Sequence, residues 1–231
     1  MDKTVKQRCL AVLRNPSNAR AMTALVNIVA RQDAHMAEHL RQFRATGQSR
    51  PYGFVWGERP IELRGTQYII VRAIPKPLGV QFACRCALQV LPYLEESHPN
   101  ERSASELIEL VEQWLSGTAT KKAIQTKSAE LGKFGVRINR QWHHAFGSGE
   151  FDSLPRPELD LSQRPLFCVE VVGYAAQSVG LSKSKTAWLI GIDRTAESHM
   201  ETEFVGRGKR GVSWARKQQL KFLAELIEAA E

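Results

Sequence analysis

Two thiols stand one residue apart at Cys84 and Cys86 in FACRCALQ, and glutamates follow at 95, 96, 101, 106, 109 and 112. Thiols beside carboxylates are the raw material of a metal or redox site. Tetrahedral zinc takes C-x₂₋₄-C pairs with a second pair elsewhere, and a second pair is missing here; the remaining cysteines are Cys9 and Cys168. On a helix, C-x-C turns the two thiols about 200° apart, so they cannot share one ion. Cysteine is among the most buried residue types, and core packing is the reading of this pair. A lone nucleophilic thiol would need a histidine partner, which the sequence does not fix.

The other reactive groups are weighed in the same way. His35 and His39 lie four apart, on one helical face with Asp33 and Glu38 nearby, but HMAEH lacks the second-position glutamate of H-E-x-x-H. The edge of a solvated helix is expected there. Trp142-His143-His144 falls at a helix end, where a histidine interacts favourably with the dipole, and adjacent histidines point to different faces. The stretch FVGRGKRG, 204–211, offers glycines with Arg207, Lys209 and Arg210. It could hold an anion or nucleic acid at the start of the following helix, although it does not match the P-loop pattern. Glu106, Glu109 and Glu112, three apart, form an acidic ridge, either solvated or a docking surface for a basic partner. No catalytic residue, cofactor or metal site follows from these groups.

Composition narrows the partners. The chain has 231 residues, 43% of them hydrophobic, with a formal charge of +8. The excess is concentrated in residues 1–79, with thirteen Lys/Arg against five Asp/Glu. Residues 80–120 are acidic, and 121–151 are basic again with six against two. Such basic regions can meet nucleic acid or an acidic protein. The chain has no apolar run long enough for a membrane span, and MDKTVKQRCLAVL lacks the apolar core of a signal peptide. A soluble cytoplasmic protein with free thiols is expected.

Periodicity then supplies the elements that must position these groups. Val5, Cys9, Val12 and Leu13 mark a helix over 4–14. A second helix, capped by Ser17 or Asn15, runs to about residue 45 through Met22, Val26, Val29, Met36, Leu40 and Phe43. Asp33 fills the gap in that stripe and calls for a partner such as an arginine. The pieces FVWG, PIELRG and QYIIVRAI, β-branched or aromatic and separated by Gly and Pro, predict a small β hairpin or flap near 53–74. Helices return from Val80, with Ala83, Ala87, Val90, Leu91 and Leu94 on one face. After a turn with Ser103 or Ser105 as cap, Leu107, Leu110, Val111 and Trp114 face them, stopped at Gly117. Further helices are expected over about 119–145, 165–180, 183–204 and 212–229, with a polar loop over 147–165. The fold class is therefore predominantly α: a multi-helix bundle of antiparallel helices with that small β flap. The division expected is 1–75 and 78–231, or one continuous domain.

Within FACRCALQVLPYLEESHPNERSASELIELVEQWLSG, Ala83, Cys86, Ala87, Val90, Leu91 and Pro92 are followed by Glu95, Pro99, Arg102, Glu109, Trp114 and Gly117. This pattern resembles a bacterial helical family of immunity proteins. The resemblance covers residues 82–117, extends weakly to WARKQQLKFLAELIE, and does not reach residues 1–75. It implies a compact helical domain without catalysis that binds and neutralises a toxin. The leading expectation is a protein-binding module that occludes a toxin or defence-system component, with Tyr52, Phe54 and Trp56 as aromatic anchors and Glu106, Glu109 and Glu112 as a charged rim. Those aromatics could equally seal the flap onto the helices. The alternative is a nucleic-acid-binding accessory protein using the basic N-terminal helices with Arg207, Lys209 and Arg210. An enzyme ranks third.

Overall fold

The computed structural model describes residues 1–15, 18–32, 60–149, 164–181 and 210–230. These form eight α-helices and no β-strand among the described residues. They are α1 (Lys3–Arg14), α2 (Ala19–Gln32), α3 (Pro60–Ala73), α4 (Lys76–Ser97), α5 (Ser103–Leu115), α6 (Lys121–Gly147), α7 (Arg164–Gly180) and α8 (Arg210–Ala229). None of them is long and apolar enough to cross a membrane.

One compact unit gathers residues 1–79 with 216–230 among those described. Its helices α1, α2 and α3 pack against one another. Val5, Cys9 and Val12 form the buried stripe of α1, and Met22, Leu25, Val26 and Val29 that of α2. The Asp2 carboxylate accepts the Val5 N–H at 2.9 Å and caps α1. The side chain that caps α2 is Asn18, which accepts the Ala21 N–H at 3.0 Å, rather than Asn15; Ser17, the other expected cap, lies outside the described residues. In the C-terminal part of α8, Leu220, Leu223, Leu226 and Ile227 are buried, on the helical spacing read from the sequence. Lys6 Nζ donates to the Glu228 and Ala230 carbonyls, and satisfies oxygens that a helix end leaves without a partner.

The expected β flap is overturned over the part that is described. Residues 60–73 are one α-helix, while 53–59 lie outside the described residues. Pro60 sits at the first helical position, where a missing N–H costs nothing. Gly65 and the β-branched run Ile69-Ile70-Val71 suggested separate strands. Gly costs a helix about 1 kcal/mol and β-branched residues less than that each. Against this, Ile69, Ile70, Val71 and Ile74 are all at most 2% exposed, and burying each contributes roughly 1.5–3 kcal/mol. Packing therefore outweighs propensity. A segment covered on nearly every side also shows no clear period, so a buried helix and a buried strand read alike.

The second unit contains residues 80–149, 164–181 and 210–215 among those described. Within it α5, α6 and α7 pack pairwise. On α4, Phe82, Ala83, Cys84, Cys86, Ala87, Val90, Leu91 and Leu94 are buried. The Cys168 thiol of α7 donates to the Val90 carbonyl at 3.2 Å, and the Arg164 guanidinium lies 4.8 Å over the Tyr93 ring. Neither Ser103 nor Ser105 caps α5. The Glu101 carboxylate accepts the Ser103 N–H at 2.9 Å, and its negative charge suits the positive end of the helix. At the other end Gly117 adopts φ 83°. There the Thr118 N–H reaches the Gln113 carbonyl and the Gly117 N–H that of Trp114, a Schellman closure. Thr120 then caps α6, so α5 and α6 form an antiparallel hairpin with a short turn.

Helices α6 and α7 come close at Gly135, where an added Cβ would stand 2.9 Å from a Val169 methyl. Gly132, one turn earlier, has nothing within 4 Å of the same position. Two substitutions of identical chemistry should therefore differ in sign. Gly132→Ala is expected to stabilise by about 0.5–1 kcal/mol through helix propensity. Gly135→Ala is expected to destabilise by about 1 kcal/mol, because the stiff Val169 side chain cannot swing away. Urea unfolding reads both, and equal shifts would refute the close approach.

Candidate docking surface on helices α5 and α6

The acidic ridge lies on the outer side of α5. Glu106, Glu109 and Glu112 are exposed, while Ala104, Leu107, Ile108 and Val111 turn inward. Glu106 faces α6, and its Oε2 lies 2.6 Å from Lys127 Nζ. Lys127 also meets Glu130 at 2.5 Å. The hydrogen bond that Lys127 donates to Glu106, then that to Glu130, holds its ammonium above its ordinary value. These are exposed carboxylates, and such pairs contribute at most about 1 kcal/mol. The Glu106–Lys127 pair links α5 to α6, while Lys127–Glu130 lies within α6. Further along, Arg137 reaches Glu101 at 3.7 Å and covers the Phe134 ring at 5.5 Å. Phe134 takes the edge of His98 on its other contact, with centroids 5.2 Å apart.

The last turns of α6 carry aromatics to the surface. Trp142 stacks on Phe146 with an interplanar angle of 18°, and His143 meets Trp142 edge-on. Phe146 is 52% exposed, and His143 and His144 are exposed on different sides of the helix. No group of three or more potential metal ligands occurs among the described residues. The surface presents charge and aromatic area to solvent.

The cysteines are packing residues. Cys9, Cys84, Cys86 and Cys168 are free thiols and buried. Burial, and after it the negative charge of Glu112, pushes the Cys84 thiol up to about 12 from an ordinary 9.0. Such a thiol is inert in the folded protein. The unfolded chain releases this proton near pH 9 while the native state keeps it. The unfolded state therefore binds fewer protons between about pH 9 and 12, and stability falls as pH rises through that window. The wild type is expected to lose about 1–2 kcal/mol more than Cys84→Ala between pH 8 and 10.5. Parallel pH profiles of urea unfolding check this, and matching profiles would refute it.

Other groups singled out from the sequence fall elsewhere. Asp33, His35, His39, Tyr52, Phe54, Trp56, Arg207 and Lys209 lie outside the described residues. Arg210 opens α8. The structure thus gathers Glu106, Glu109 and Glu112 on one helix, and adds the Lys127 and Arg137 links that sequence spacing did not reveal. The charge swing from acidic 80–120 to basic 121–151 was the available signal for them.

Comparison with known proteins gives a partial match. A family model described as "Imm-5 like putative immunity protein" matches residues 73–145, which take in α4, α5 and nearly all of α6. No curated protein and no solved structure matches the chain.

Proposed function

We propose that the chain is a non-catalytic binding module that occludes or regulates a protein partner, a toxin or another component of a bacterial conflict system. The observation that carries this reading is the match of residues 73–145 to an immunity-protein family. Those residues supply the α5–α6 surface, where Glu109 and Glu112 are exposed. A preformed helical face loses little entropy on binding, and a charged rim steers encounter and excludes wrong partners. Glu106, Glu109 and Glu112 form that rim in this proposal, with Tyr52, Phe54 and Trp56 as anchors.

Capture of binding proteins by the tagged chain from its native host, washed at high salt and identified by mass spectrometry, tests the reading. Recovery of one protein with wild type, and its loss with Glu109→Lys/Glu112→Lys, is the expected result. Retention of nucleic acid alone, released steeply by added salt, would replace the reading with a nucleic-acid-binding one.

A further inference from the structure

A second surface runs along the outer edge of α6, separate from the α5 glutamates. At about 100° per residue, positions 129, 132, 136 and 146 fall on one edge of that helix, with the polar residues Gln125, Asn139 and His143 among them. Val136 and Phe146 are 51% and 52% exposed on it, and Gly132 leaves open space where a side chain would stand. Toward the start of α6 the same edge becomes one wall of a groove of about 480 Å³. Ala176, Val179 and Leu181, near the end of α7, form the opposite wall. Beside this track Lys122, Lys133 and Arg140 stand in a row on the most outward line of the helix, and all three are exposed. The nearest carboxylate of α6, Glu130, is already held by Lys127.

We infer that this edge of α6 docks an amphipathic helix of a protein partner, its apolar face in the groove and along Gly132, Val136 and Phe146, its acidic flank against Lys133 and Arg140. The inference rests on the reading that the partner is a protein. From residue 129 to 146 the track is about 25 Å long, enough for four to five turns of a docked helix. An apolar groove continued by two exposed apolar side chains, beside a line of one charge, suits a helix-in-groove mode. Nucleic acid fits less well. A duplex laid on the cation row has no use for Val136 or an open Gly132.

Fluorescence anisotropy at about 0.15 M salt tests this with three probes. They are a synthetic helical peptide of about 20 residues with leucines at a/d spacing and glutamate flanks, a scrambled peptide of identical composition, and single- and double-stranded DNA. The helical peptide is expected to bind roughly tenfold or more tightly than the scrambled one. Lys133→Glu/Arg140→Glu should weaken it by about tenfold, and Gly132→Leu, which fills the track, by roughly fivefold. Circular dichroism checks that each variant is folded; both alter exposed positions, and either one alone suffices. Equal binding of the scrambled peptide, tighter binding of DNA, or wild-type affinity in both variants would each overturn the inference. If a partner captured from the host is held equally by wild type and Lys133→Glu/Arg140→Glu, this surface fails while the protein-binding reading stands. If the helical peptide binds through this edge but no partner is captured, the reading fails while the surface stands.

Discussion

Phe82→Ala is expected to cost about 3–5 kcal/mol of stability, a large part of what a domain of this size holds. Phe82 is fully buried at 0% exposure, the first large side chain of the FACRCALQ segment. Truncation removes the transfer free energy of the ring and leaves a cavity that a close-packed interior fills only in part. Phe146 is the control, because it is 52% exposed. Its truncation should cost no more than about 0.5–1 kcal/mol, mostly the lost stacking on Trp142. Urea unfolding monitored by far-UV circular dichroism measures both. Similar losses for the two would mean that the α4 face read as core is not core. Partner binding should fail with Phe82→Ala only to the extent that the fold does, whereas Phe146→Ala should weaken docking with the fold intact.

The second large effect concerns a polar cluster inside the first unit. Arg216 is 4% exposed, and Gln67 and Gln219 are fully buried. Arg216 Nη1 donates to Gln67 Oε1 at 2.7 Å and to Gln219 Oε1 at 3.3 Å, and the Gln67 amide donates to Gln219. Gln219 Nε2 is buried with no hydrogen-bond partner among the described residues. Gln67→Leu removes an acceptor at 2.7 Å from a buried guanidinium, and is expected to cost about 3 kcal/mol. Adding Arg216→Met to the same chain removes the charge that needed the acceptor, so the pair should be less destabilised than the sum of the single changes by about 1–3 kcal/mol. Additive losses would show that the three side chains do not act as a network. Arg72, also buried, has its guanidinium pushed below its ordinary value by the same loss of water.

Helices α4 and α5 were legible because their pattern is redundant. Alanines and cysteines at positions 83, 84, 86 and 87 can only pack closely, Leu107 and Val111 repeat at helical spacing, and Gly117 supplies the positive φ that ends α5. The resemblance to immunity proteins at 82–117 falls inside the matched segment 73–145 for the same reason. Helix α3 was misread because Gln67 to Ile74 are buried on nearly every side, and uniform burial erases the period that tells helix from strand. Helix caps were also missed: Glu101 rather than a serine serves α5, a choice set by how the 98–102 turn folds back.

Charge by itself showed an acidic segment followed by a basic one, and spacing showed that Glu106, Glu109 and Glu112 share one helix. Which of those charges are spent on neighbours was decided only by tertiary structure. Glu106 is bound to Lys127 and Glu101 to Arg137, while Glu109, Lys133 and Arg140 stand exposed. The physical reason is that periodicity depends on residues three or four apart, whereas pairing depends on which helices lie side by side. The sequence determined the helices of the matched segment and their buried faces; packing of α5, α6 and α7 determined which outer edges remain to meet a partner.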